Sequence, residues 1–153
     1  MLTCDRMHGS GTPVGDALEM EGIALAIKEL GGSLEPFTIG SVKGNVGNTQ
    51  HSSGLVSLIK VCKSMQKGVI PAIKGLETPN EMINTRLPVK LAMQETRLSR
   101  SDVLGVSASG WGGVNSHTIL GFPDEHLQKM ETIFLPEGTF NRTTLAAPRT
   151  AGN

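Results

Sequence analysis

Residues 8–16 read H-G-S-G-T-P-V-G-D, and no other stretch limits the fold as much. A histidine, a serine and a threonine alternate with glycines just ahead of a helical pattern. Glycine lets the backbone take positive φ and come close to a ligand. Such a run makes a poor core segment and a good ligand loop, because it presents an imidazole and two hydroxyls on an accessible backbone. The reading is a reacting loop that joins a strand to a helix. Only a few residues precede it, enough for one short strand, so the expectation is a part of something larger.

The rest of the pattern supplies the scaffold. Asp16 followed by Glu19 has capping-box spacing, which starts a helix near Ala17. Met20, Ile23, Ala24, Ile27 and Leu30 recur at helical spacing, and Gly31-Gly32 closes the helix. Phe37 to Val42 reads as a strand, followed by a second glycine loop from Gly44 to Asn48. Ser52 or Ser53 caps the next helix. Its apolar positions are Leu55, Leu58, Ile59, Cys62 and Met65, and Gly68 ends it.

Val69-Ile70 is a short strand stopped by Pro71, residues 74–87 are polar and irregular, and Val89 to Met93 is another short strand. Val103–Ser107 and Ser116–Leu120 form a hairpin-like pair around G-W-G-G at 110–113, with a long loop. Strand, helix, strand, helix and then paired strands give an α/β layer with ligand loops at strand ends. The glycine loops near His8, Asn48 and Trp111 would converge there. The expected domain is 1–122, with 123–153 a flexible tail or linker.

Composition removes several function classes. The chain has 153 residues, which suits one core, and 14 basic against 14 acidic residues. Balanced charge gives no footprint for nucleic acid or an anionic membrane. No apolar stretch reaches spanning length, and the N-terminus has no signal-peptide core. Cys4 and Cys62 form neither a disulfide framework nor a metal pattern, so the cytosol is the expected compartment. Cys62 reads as a buried structural cysteine. His117 reads as closing a structural hydrogen bond, and no metal site is expected. Gly40, Gly44 and Gly47 suggest a phosphate cradle, but Lys43 lies on the wrong side of them for a Walker loop.

Three motifs in order and spacing resemble the C-terminal half of a β-ketoacyl synthase, a condensing enzyme of thiolase-like fold. His8 to Asp16 is similar to H-G-T-G-T-x-x-G-D. Gly40 to Thr49, G-S-V-K-G-N-V-G-N-T, is similar to G-S-V-K-S-N-x-G-H-T. Gly105 to His117 is similar to G-V-S-S-F-G-F-G-G-T-N-A-H, and Gly68-Val69-Ile70-Pro71 falls where the family often has G-x-I-P. The likeness covers residues 5 to about 121, and its wording is closest to polyketide synthases.

The resemblance implies an α/β, thiolase-like half-domain with a mixed sheet and helices. It also implies an acyltransferase that condenses acyl and malonyl-type thioesters with loss of CO₂. His8 then matches a catalytic histidine, and Lys43 the lysine that holds the active-site network. Ser10 and Thr12 match hydroxyls that bind pantetheine. Trp111, with Gly112, matches the gate and oxyanion-hole position. The phosphopantetheine thioester would arrive on an acyl-carrier partner, with no tightly bound cofactor, and the family also implies a possible homodimer.

Two departures stand out. The family's nucleophilic cysteine lies in the N-terminal half, and neither Cys4 nor Cys62 sits in a matching motif. The family's second histidine is replaced by Asn48, which can donate a hydrogen bond but cannot exchange a proton near pH 7. His51 lies three residues later, where the start of a helix would aim it elsewhere. The expectation is a chain inactive until a cysteine-bearing half joins it. The alternative is a non-catalytic, degenerate ketosynthase fragment that binds a carrier or partner protein. Either way, a large apolar patch should be exposed.

Overall fold

The polypeptide alternates strands and helices so that one sheet carries a helix on each face. The computed structural model describes residues 2–29, 36–83 and 87–123. Apart from Pro123, these residues belong to one compact unit, Met1–Phe122. The expected tail lies outside the described residues, as do Leu30, Gly31 and Gly32.

In chain order come β1 (Leu2–Arg6), α1 (Pro13–Glu29), β2 (Phe37–Gly40), the single turn α2 (Lys43–Val46) and a 3₁₀ turn at Gln50–Ser52. Then follow α3 (Ser53–Lys67), β3 (Val69–Ile70), β4 (Val89–Leu91), β5 (Thr96–Arg97), β6 (Val103–Ser109) and β7 (Asn115–Gly121). The main sheet has the order β4-β2-β1-β6-β7, and β3 pairs with β5 in a separate ribbon. β4, β2, β1 and β6 are parallel, while β7 returns antiparallel to β6. The class is α/β, as the sequence pattern implied, with the mixed sheet that the family resemblance implied.

Register decides which helix covers which face. Thr38 and Leu104 both flank Cys4, whereas Ile39 and Gly105 both flank Asp5. Successive strand residues point to opposite faces, so Ile39 and Leu104 face opposite ways. On one face Phe37 and Ile39 pack with Met7 and Met20, backed by Ile23 and Ile27 of α1. On the other, Leu104 and Val106 pack with Val61 of α3 and with Ile70 and Ala92. The result is three layers with two apolar cores.

Several local readings need correction. α1 begins at Pro13, not near Ala17. Thr12 caps it, accepting the Gly15 N–H at 3.2 Å, and Pro13 takes the first helical position, where no N–H is needed. Residues 43–46 of the second glycine loop are helical. The hairpin loop is short, because pairing runs out to Ser109 and Asn115, and Gly110 N–H closes it on the Val114 carbonyl at 2.8 Å. β5 carried no sequence signal, being two exposed residues long.

The largest correction concerns α3. Its boundaries match the reading, including Gly68 as a left-handed cap. Leu58 and Met65 pack on the core as expected, but the fully buried positions are Ser53, Ser57, Val61 and Ser64, while Leu55, Ile59 and Cys62 are exposed. Small side chains let this helix lie close to β6: a Cβ on Gly54 would sit 3.0 Å from the Ala108 Cβ. Ser53 Oγ is buried without a hydrogen-bond partner. Cys62 is therefore not the buried cysteine expected from its apolar neighbours.

Candidate active site

Three parallel strands end side by side. Arg6 at the end of β1 is flanked by Gly40 of β2 and Val106 of β6. The loops that follow, 7–12, 41–49 and 110–114, therefore leave the same edge of the sheet, and His8 lies where they meet.

Three contacts hold His8 and a fourth holds the glycine after it. Its N–H donates to Glu19 Oε1 at 2.5 Å, and the Gly9 N–H donates to Glu19 Oε2 at 2.9 Å. Lys43 Nζ donates to the His8 carbonyl. The Ser109 N–H donates to His8 Nδ1 at 3.4 Å. Gly9 takes φ of 53° and packs on Ser41, where a Cβ would come within 3.1 Å of the hydroxyl. Only glycine combines that backbone angle with that closeness.

These contacts set the chemistry of the ring. An acceptor at Nδ1 leaves the neutral imidazole's proton on Nε2, a single donor. Burial lowers the His8 pKa below the ordinary histidine value, and the Lys43 ammonium lowers it further, against Glu19 and Asp16, which raise it. Burial likewise lowers the Lys43 pKa, opposed by Glu19 and Asp16. A neutral imidazole that donates through Nε2 can hydrogen-bond an enolate or oxyanion.

The neighbouring hydroxyls are exposed. Ser10 Oγ and Thr12 Oγ1 lie 3.0 Å apart, and Asp16 Oδ1 accepts from the Gly11 N–H at 3.1 Å and from Ser10 Oγ at 3.5 Å. A cavity of about 190 Å³ lies against this loop, lined by Met7, Gly9, Gly11, Met20 and Lys43 among others. His8, Ser10 and Thr12 are not in that lining, so alternate loop residues serve different sides.

The remaining residues of interest lie further out. Asn48 is exposed and accepts the Gln50 N–H on its own side-chain oxygen at 3.1 Å. His51 and Gly112 are exposed, and the Trp111 side chain is wholly so. His117 meets Ser107 Oγ across the hairpin at 3.0 Å. Among the described residues no three His, Cys, Asp or Glu side chains cluster to hold a metal, and no helix is long and apolar enough to cross a membrane.

Sequence reasoning missed Glu19, read as a capping-box partner and found instead gripping the loop backbone. The available signal was an acidic residue beside the apolar stripe of α1. It also missed the Ser109 backbone, which no side chain advertises.

Solved structures share this fold. An oxazolomycin ketosynthase domain of Streptomyces albus superimposes with a TM-score of 0.74 at 28% identity, over 80% of this chain and 22% of that one. Ketosynthase twelve of the Bacillus amyloliquefaciens bacillaene polyketide synthase gives 0.73 at 28%, over 80% and 23%. The fold is thus that of ketosynthase, thiolase-like domains. Residues 5–77 match the family described as "Beta-ketoacyl synthase, C-terminal domain". The chain is similar to a hybrid PKS-NRPS synthetase of Gloeophyllum trabeum, 53% identical over 74% of this chain and 7% of that protein. A highly reducing polyketide synthase of Penicillium roqueforti is 32% identical over 95% of this chain and 8% of that protein. The chain belongs to the β-ketoacyl synthase family and corresponds to the C-terminal ketosynthase domain of polyketide synthases. It spans less than a tenth of the length of these curated relatives.

Proposed function

We propose that this chain supplies the hydrogen-bond-donor half of a condensing site for acyl and malonyl-type thioesters. The observation that carries the reading is His8, held by Glu19 at its N–H, Lys43 at its carbonyl and the Ser109 N–H at its ring, with Nε2–H left to donate. The nucleophilic cysteine comes from an N-terminal ketosynthase half, which takes the acyl group from a carrier thioester. The extender then loses CO₂, and negative charge develops on its thioester oxygen. His8 donates to that oxygen, with the Asn48 amide as a second donor and Lys43 fixing the His8 backbone. Ser10 and Thr12 bind the amides of the phosphopantetheine arm brought by an acyl-carrier partner. Trp111 and Gly112 border the acyl channel and its oxyanion hole.

The exposed row Leu55, Ile59 and Cys62 is the surface offered to the cysteine-bearing half, and self-association of the completed domain follows the family's habit. The cytosol is the compartment proposed for it. Co-expression with a matching N-terminal half tests the reading. Mass spectrometry should find an acylated cysteine and an elongated carrier product, with elongation abolished by His8→Ala. An inert wild-type pair would refute it.

A second reading is favoured by Asn48, which stands where the family has a histidine and cannot exchange a proton near pH 7, and by Trp111, which stands in solvent. In that reading the chain binds a carrier or partner protein without turnover. Carrier capture that survives His8→Ala, with no acyl transfer by the pair, would favour it.

A further inference from the structure

Lys60 lies in the middle of α3, where the sequence runs Leu58-Ile59-Lys60-Val61. Its half-buried ammonium reaches across to the second loop rather than into solvent. Nζ donates to the Ser41 carbonyl at 2.8 Å and to Asn45 Oδ1 at 2.8 Å. Those acceptors lie two residues before and two residues after Lys43. Ser41 contributes twice more: its Oγ accepts the Lys43 N–H at 3.2 Å, and it forms the surface against which Gly9 packs. Lys43 then grips the His8 carbonyl. Contacts thus run from α3 through the second loop to the imidazole-bearing residue, charge-assisted at the two lysine ends.

We propose that Lys60 is a positioning residue, which clamps the chain on both sides of Lys43, by the Ser41 carbonyl and the Asn45 side chain, and so fixes where Lys43 and His8 stand. The physical case is geometric. α2 is a single turn and cannot hold its own place, since so short a helix is marginal without tertiary contacts. An ammonium bonded to both flanks of that turn fixes its origin and its orientation together. α3 is a long element seated on the sheet, so the clamp has a rigid base. The consequence for turnover rests on the condensing function above, while the consequence for His8 does not.

The experiment reads His8 directly in this chain. NMR titration follows the His8 ring, assigned by comparison with His8→Gln, in Lys60→Met, Asn45→Ala and the control Lys63→Met. The charged groups facing His8 are Lys43, which lowers its pKa, and Glu19 and Asp16, which raise it. Freeing Lys43 removes a lowering influence, so the midpoint should move upward in Lys60→Met. It should move upward by less in Asn45→Ala, which keeps the Lys60 charge and removes one contact. Lys63→Met should match wild type, because Lys63 bonds Gln66 on the same helix.

A shift in Lys60→Met with none in Asn45→Ala would assign the effect to lost charge and overturn the proposal. Unchanged midpoints in both folded variants would also overturn it. If Lys60→Met does not fold, Asn45→Ala decides alone. Joined to a cysteine-bearing half, Lys60→Met should lower kcat by on the order of 10- to 100-fold with KM for the carrier thioester unchanged. A wild-type pair that never turns over sinks the condensing function and leaves the titration result standing.

Discussion

His8 binds through its backbone to groups that the motif alone does not reveal. Glu19 accepts two consecutive N–H groups, and such a fork loses its match when one oxygen becomes an amide. Glu19→Gln should destabilise the chain by about 1–2 kcal/mol in urea. It should also lower the His8 midpoint, since Glu19 raises it; an unmoved midpoint would contradict the contact. Acid acts on the same residue. The folded chain holds the His8 pKa below its unfolded value, so the unfolded state takes up a proton first as pH falls. Stability present above the ordinary histidine pKa is lost as pH drops from there through the folded pKa. Melting temperature should decline through that window, and His8→Gln should flatten the decline.

Elements show where pattern reading succeeds and where it fails. α1 was legible because Met20, Ile23, Ala24 and Ile27 lie on the face that meets Phe37 and Ile39. α3 was legible in extent and half right in facing: Leu58 and Met65 pack on the core as read, while close approach to β6 selects serine and glycine there and leaves Leu55, Ile59 and Cys62 outward. A hydrophobicity rule cannot see that a neighbouring backbone has taken the space. The loops that carry the site were legible as motifs, yet their supports, Glu19 and Lys60, belong to helices. Glycines give a paired test at this scale. A Cβ on Gly44 would strike the Lys74 carbonyl oxygen, so Gly44→Ala should cost about 1–3 kcal/mol. Gly22, within α1, has open space around it, and Gly22→Ala should gain about 0.5–1 kcal/mol. Equal effects from the two in thermal melts would contradict the close packing at Gly44.

At the scale of the whole molecule, the exposed apolar row on α3 governs behaviour in solution. Leu55 is 61% exposed and Ile59 54%, on the same helix face. Contiguous exposed apolar surface drives association. Light scattering at high concentration should show species larger than one chain. Leu55→Lys combined with Ile59→Lys should reduce their size with little change in melting temperature. Monodisperse single chains in the wild type would contradict this. The His8 loop carries a different consequence. Its odd-numbered residues line a cavity that its even-numbered residues do not, so the strip is chemically two-sided. Repacking at Met7 or Met20 would change the footing beneath the imidazole while every reactive atom kept its identity, which gives an engineer a way to trim the tool by shimming its mount.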